Sequence, residues 1–369
     1  MKRWIGVGLG LVLVVVVAVA VVWGNRDDDG NGGRELVTVR GVIGSEKQAF
    51  FDDPQVKAAF ARHGLRVEVD VAGTRQIATS VDLGKYGFAF PSSVPAAEKI
   101  RQDRGAARTY APFYSPMAIA TFDPIVDLLA KAGVVRDSAQ GQVFDIGKYL
   151  EIVKNGARWD KLPGNTAYPA RKRVLLTTTD IRTSNSAAMY LALMSYVANG
   201  ENVVSSPEQV PAVVETVGPT FLDQGYSETT SEAPFEDYLA LGVGKTPMVM
   251  IYEAQYAARV FAGDGSIRSG MRLIYPAPTV LSKHTLVPFT PEADKVGDLL
   301  TRDPEFAALA ARHGFRTADP KAFADLAAKH RAPVATELVD VVEPPAFARM
   351  EELIAGIERM YAGSSTPAG

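Results

Sequence analysis

Residues 36–75 read LVTVRGVIGSEKQAFFDDPQVKAAFARHGLRVEVDVAGTR, and this stretch decides the fold. Leu36, Val37 and Val39 lead through Gly41-Val42-Ile43 into Gly44-Ser45, a strand ending in a small polar turn. Asp53-Pro54 then places a capping side chain before a residue whose φ is already helical. The helix it starts should stop at Gly64, which supplies the left-handed C-terminal residue. Leu65, Val67, Val69 and Val71 alternate with Arg66, Glu68 and Asp70, so the next segment is a half-buried strand.

The same punctuation recurs outward from here. Asp123-Pro124, Asp303-Pro304, Asp319-Pro320, Ser206-Pro207 and Thr290-Pro291 each read as a helix start, and Gly133, Gly200 and Gly314 as helix stops. Between them lie further strand patterns at 86–90 (YGFAF), 173–177 (RVLLT), 248–252 (MVMIY) and 271–275 (MRLIY). Strands alternating with helices of this length predict an α/β fold with mostly parallel sheets, covered on both faces. Residues 61–66 (ARHGLR) and 311–316 (ARHGFR) are alike. We read both as helix ends, with His and Arg on the negative end of the dipole and Gly as the cap, rather than as a tandem repeat.

The N-terminus sets the compartment. Met1-Lys2-Arg3 precedes twenty uncharged residues, Trp4 to Trp23, and Asn25-Arg26-Asp27-Asp28-Asp29 comes after. Twenty helical residues at about 1.5 Å each span a hydrocarbon core of about 30 Å. Basic residues before the span predict a cytoplasmic N-terminus and an extracytoplasmic remainder. Ala18-Val19-Ala20 could serve a signal peptidase, but the apolar run continues past it, so 1–26 reads as an uncleaved transmembrane anchor. Residues 27–34 (DDDGNGGR) form a flexible linker and 364–369 (SSTPAG) a frayed tail. The chain has no Cys, which excludes a lipidated Cys and disulfides. Beyond residue 26 it carries 36 basic against 42 acidic residues, so no nucleic-acid partner is expected.

The order of several stretches resembles the bacterial extracellular solute-binding proteins of the type 2 periplasmic binding fold, near the binders of molybdate, sulfate and phosphate. Val42 to Lys47 looks like that family's first strand and ligand-side loop, Val69 to Gln76 like its second strand running into a short helix, and Phe88 to Ser93 like its third strand and hydroxyl loop. Pro112 to Thr121 looks like the crossing into the second lobe. Arg272 to Pro276 and Thr285 to Pro288 look like the returning strands, and Leu299 to Phe315 like the closing helix pair. The resemblance covers about residues 36–335. It implies lobe one over 35–116 plus 273–335 and lobe two over 117–272. Family members are usually free or tethered through a lipidated Cys, whereas this chain has a spanning segment. It also continues past the family's end into a C-terminal helical extension and tail at 336–369. There Phe347, Met350, Leu353, Ile354, Ile357 and Met360 make one apolar stripe, expected to pack back on lobe one, with partner docking as the alternative.

Enzyme signatures are poor, and no enzymatic activity, cofactor or metal is expected. His63, His313 and His330 read as helix ends and His284 as a strand residue; none has metal-ligand spacing. Gly244-Lys245-Thr246 echoes a P-loop, but Leu239 stands where the first Gly belongs. The tetrapyrrole-building enzyme on this fold carries its cofactor on Cys, which is absent here.

A binding cleft has better support. In open α/β lobes, ligands sit beyond the carboxyl ends of strands, near helix N-termini. Those ends hold Ser45, Thr74 with Arg75, Ser92 with Ser93, and Ser115; further on they hold Thr179, Asp180, Arg182, Ser184 and Asn185 before an apolar helix at 187–198. Tyr252 and Glu253 come after another strand and resemble a family ligand-side stretch, although Glu253 also suits a helix cap. A carboxylate there would repel an oxyanion unless Arg75 or Arg182 paired with it. Ser184 and Asp180 serve equally as caps. Two functions are expected as alternatives. One is a membrane-anchored receptor at the bacterial cell membrane that closes on a small polar or anionic solute and works with a transporter or envelope complex. The other is a ligand-free interaction module of the same fold.

Overall fold

The computed structural model describes residues 36–139, 141–222, 224, 228–338 and 340–364. The expected anchor, linker and last five residues lie outside them. Among the described residues, no helix is long and apolar enough to cross a membrane.

Eleven strands form one twisted, mixed sheet system: β1 Val37–Ile43, β2 Leu65–Val71, β3 Phe88–Phe90, β4 Tyr110–Phe122, β5 Val135–Ser138, β6 Gly141–Asp145, β7 Val249–Tyr252, β8 Met271–Ala277, β9 Thr279–Pro288, β10 Arg316–Thr317 and β11 Val341–Val342. The main path runs β2-β1-β3-β9-β4-β8-β6-β5. The opening stretch folds as read: β1 and β2 pair in parallel from Val37 opposite Leu65 to Ile43 opposite Val71, with helices Gln48–Asp52 and Pro54–Arg62 between them.

The expectation of mostly parallel sheets is corrected. Of ten described strand pairings, four are parallel and six antiparallel. Apolar runs report that both faces of a strand are covered; they do not report its direction. The two long strands, β4 and β9, run against the strands they meet in the main path. β4 also changes neighbours along its length. It pairs with β9 through Pro116, and with β7 and β8 from Met117 to Phe122.

Two smaller expectations also shift. Residues 173–177 make only isolated bridges, at Arg173 and Thr177, because the Leu176 N–H donates to the Tyr149 hydroxyl (2.8 Å) rather than to a strand. Asp123 is the first helical residue of Asp123–Lys131 rather than its cap, and its carboxylate pairs with Arg272 at 3.0 Å.

The similar segments at 61–66 and 311–316 prove to be matched helix ends. The Pro54–Arg62 and Pro304–Arg312 helices pack with Phe60 and Phe306 ring centroids 4.5 Å apart. Each begins on an Asp whose side chain accepts from the second residue onward, Asp53 from Gln55 (2.7 Å) and Asp303 from Glu305 (2.8 Å). Each ends on a His that reaches the other helix's Asp: His313 to Asp53 (2.9 Å) and His63 to Asp303 (3.4 Å). One continuous apolar core runs from Val39 to Ile357 and includes Trp159, Tyr190 and Phe306.

Candidate functional site

The turn after β1 buries charge. Lys47 is fully buried, and its ammonium donates to Ser92 Oγ (2.8 Å), contacts His284 Nδ1 (3.1 Å) and pairs with the Glu46 carboxylate. Ser92 Oγ also donates to Glu46 Oε1, and His284 Nδ1 lies 3.3 Å from the same oxygen. Only Gly fits at position 44, since a Cβ would come within 2.5 Å of Ser92 Oγ and 2.6 Å of Glu46 Oε1. Burial alone would raise the Glu46 carboxyl; the Lys47 charge and His284 outweigh it and hold Glu46 below the usual carboxylate range. Burial lowers Lys47, with Glu46 opposing it. Burial and the Lys47 charge together lower His284 to about 4, so its ring is neutral near pH 7. Among the described residues no bond reaches His284 Nε2, and the His284 ring packs near the Phe113, Phe315 and Tyr252 rings.

Above this network Asn185 is the hub. It starts the helix Asn185–Ala198, and its Nδ2 donates toward Tyr252 Oη (3.1 Å), the Ser92 carbonyl (3.2 Å) and Ser282 Oγ (3.4 Å). Ser282 Oγ donates to the same Ser92 carbonyl at 2.6 Å, and Thr74 Oγ1 accepts from the Ser92 N–H at 3.0 Å. Thr74, Ser92, Asn185 and Tyr252 therefore meet in one hydrogen-bonded group, joined by Ser282. Beside it a hydroxyl chain links Thr179 to Ser186 (2.8 Å) and Ser186 to Ser184 (3.0 Å).

Between these groups lies a void of about 10 Å³, bordered by Ser45, Glu46, Thr74, Ser184, Asn185 and Tyr252. That is room for about one water. Two backbones close it: a Cβ on Gly73 would collide with the Thr183 carbonyl oxygen. Lys47, Ser92 and His284 all reach Glu46 Oε1, while among the described residues no bond is made to Oε2. Ser45 Oγ makes no bond either, among the described residues.

The expected cations are engaged elsewhere. Arg75 bonds Glu351 (2.9 and 3.0 Å), Glu358 (3.1 Å) and the Arg182 carbonyl (3.1 Å), and the Glu351 hydrogen bond chiefly raises its pKa. Arg182 forms a bidentate pair with Asp180, whose carboxyl burial would raise but Arg182 holds below its ordinary value. Ser93 lines a second void, of about 30 Å³, together with Thr74 and Arg75. It is roofed by Phe347 and Met350.

Ser115 and Glu253 lie apart from both voids. Ser115 Oγ accepts from the Ala254 N–H (3.0 Å) and so caps the Glu253–Ala262 helix. Glu253 is wholly buried against Arg316 (2.7 and 2.8 Å) and the Tyr275 hydroxyl. Sequence reasoning missed Glu46, Lys47, Ser282 and His284. The run Ser45-Glu46-Lys47 at a strand's carboxyl end was the available signal; that Lys47 turns inward was not.

The apolar stripe of the C-terminal helix Phe347–Ser364 does not pack back on the lobe-one segment alone, as had been expected. Leu353, Ile354 and Ile357 are buried, and the helix contacts the helices Val210–Val217, Asn185–Ala198, Pro219–Leu222 and Val94–Arg104. Gly356 allows close approach to Val214 of the 117–272 segment, where a Cβ would lie 2.6 Å from Cγ2.

Among the described residues no group of three or more His, Asp or Glu side chains could hold a metal. No protein-family model matches the chain, and no curated protein does. Solved structures do match. A solute-binding protein of an ABC transporter from Thermotoga lettingae, bound with α-D-tagatose, has a TM-score of 0.56 at 15% identity, over 90% of this chain and 96% of its own. Iron-bound HitA from Pseudomonas aeruginosa has a TM-score of 0.52 at 10% identity, over 89% and 99%. A sulfate-binding protein from Mycobacterium tuberculosis has a TM-score of 0.50 at 14% identity, over 88% and 99%. With β1, β2 and β3 delivering their carboxyl ends to one polar cleft, and with these likenesses running nearly the whole length of each structure, the chain has the type 2 fold of the periplasmic and extracellular solute-binding proteins.

Proposed function

We propose that this chain is an extracytoplasmic solute receptor, held at the bacterial membrane through residues 4–23, that closes on a small polar solute which is neutral or cationic. Lobe one comprises 35–116 plus 273–335 and lobe two 117–272; the change of β4's neighbours between Pro116 and Met117 supports the boundary. The solute sits where Ser45, Glu46 and Thr74 face Ser184, Asn185 and Tyr252, and is passed to a membrane transporter or envelope complex.

The observation that carries this reading is the charge at the void. Glu46 offers an acceptor oxygen that takes no bond among the described residues, while the nearby cations Lys47, Arg75 and Arg182 are each paired with a carboxylate of the chain. A bare oxyanion would meet Glu46 with no cation left to answer it. A hydroxyl or ammonium donor finds Glu46, Ser45 and Tyr252 in place. The narrowness of the void supports a second reading, the ligand-free interaction module.

Thermal melting of the full-length protein in detergent, against amino acids, amines, polyols, sulfate, phosphate and molybdate, separates these readings. A solute at 100 times its dissociation constant adds about 2.7 kcal/mol of stability. The melting temperature should rise with an amine or polyol and stay unchanged with the oxyanions. A rise with an oxyanion contradicts the assigned class. No rise with any solute favours the interaction module.

A further inference from the structure

We infer that the C-terminal helix is a latch that holds the two lobes together, with Arg75 as its catch, so that release of the helix opens the cleft. This rests on the solute-receptor reading of the same cleft.

The helix spans both sides of the gap and holds them by different means. Toward lobe two its contacts are mainly apolar, with one hydrogen bond from Tyr361 Oη to the Phe221 carbonyl (3.2 Å) and the Arg182 guanidinium over the Tyr361 ring. Gly356 lies against Val214, and Met360 reaches Gly218. Toward lobe one an apolar contact at the helix's first turn is joined by an ionic one. Arg75 lies after β2 at the start of the short Thr74–Thr79 helix and takes both Glu351 and Glu358, one face of the latch two turns apart. Phe347 lies under Lys99, 5.8 Å from its ring centroid, and packs on the lobe-one cluster of Val42, Ile77 and Ile100.

Arg75 also donates to the Arg182 carbonyl at 3.1 Å, so one guanidinium ties lobe one, lobe two and the helix together. The catch is a quarter to a third exposed, with relative exposures of 28% for Arg75, 26% for Glu351 and 33% for Glu358, so salt can reach it. An apolar stripe is not broken by salt. On opening, the helix therefore stays with lobe two, and the Arg75 contacts part. Its first turn roofs the void bordered by Thr74, Ser93 and Asn185, which places the latch over the cleft's flank.

The absence of Cys makes the test clean, because two introduced Cys are the only label sites. Spin labels on Lys85→Cys and Lys154→Cys, both exposed, report the distance between lobes in the full-length protein without solute. The unmodified background should give a single narrow distance. Arg75→Glu should raise the ratio of wide to narrow distances at least tenfold, and the charge swap R75E/E351R/E358R should restore the narrow one. If Arg75→Glu unfolds, the background protein in 1 M salt, where the screening length is about 3 Å, must show the same widening. A narrow distance in folded Arg75→Glu, or in 1 M salt where Arg75→Glu is unfolded, overturns the latch. The solute panel on Arg75→Glu keeps the two claims apart. Widening with no solute bound leaves the latch and sinks the receptor; a bound solute without widening does the reverse.

Discussion

Replacing Lys47 by Met will destabilise the protein by about 3–5 kcal/mol at pH 7, measured by denaturant unfolding, because it leaves a buried carboxylate without its cation. The Glu46 side chain is 6% exposed and Lys47 not at all, so bulk water cannot make good the loss. Ser92 and His284 remain near Oε1, but a neutral imidazole and one hydroxyl do not replace an ammonium. The double variant Glu46→Gln/Lys47→Met should recover most of the loss, since removing both charges is far cheaper than stranding one.

The pH dependence has a fixed sign. His284 is lowered to about 4 in the fold, against an ordinary value of 6.5. Its contribution is complete above pH 6.5 and falls away as the pH drops toward 4, because the unfolded chain takes up a proton that the folded one refuses. Glu46, also lowered, loses its contribution below its ordinary 4.5. In Lys47→Met, burial is opposed by less, and the Glu46 carboxyl rises. The deficit of that variant should therefore be largest near neutral pH and shrink toward pH 4. A deficit that is flat with pH would show that the ion pair is not its cause.

Arg316→Met will cost a similar amount, about 3–5 kcal/mol, by the same physics at a different place. Glu253 is wholly buried and receives both of its short guanidinium bonds from Arg316, while Arg316 also donates to the Ala335 carbonyl at 2.5 Å. Burial alone would lower Arg316; the bonds to Glu253 raise it above the ordinary arginine value. Among the described residues only the Tyr275 hydroxyl stays on the Glu253 side chain after the change. The two variants differ in their effect on the cleft. Glu46 borders the void proposed to take the solute, and Glu253 does not. Lys47→Met should therefore alter solute affinity as well as stability, whereas Arg316→Met, assayed below its melting temperature, should leave affinity within about twofold. Equal effects on affinity would place the site elsewhere.

Much of this was legible in the sequence. The strand at 65–71, the Asp-Pro helix starts at 53 and 303, and the glycine stops at 64 and 314 are local signals, and the fold obeys them. So is the apolar stripe of the last helix. Strand direction was not legible, because β4 and β9 are set by long-range pairing. Nor was the role of the arginines. Arg75 stands where a solute's anion would be met, and only the fold brings Glu351 and Glu358, more than 270 residues later, to meet it first. Lys47 reads as a surface residue in any window of sequence. Its burial depends on Ser92 arriving from the turn after β3 and His284 from the middle of β9.

The placement of the solute is tested most directly by titration calorimetry of Ser45→Ala with whichever amine or polyol raises the melting temperature. Ser45 Oγ borders the void and makes no bond within the described protein, so its loss should leave the melting temperature without solute unchanged. Affinity should fall about fivefold, the worth of one hydrogen bond of about 1 kcal/mol. An affinity in Ser45→Ala equal to that of the unmodified protein would contradict the site.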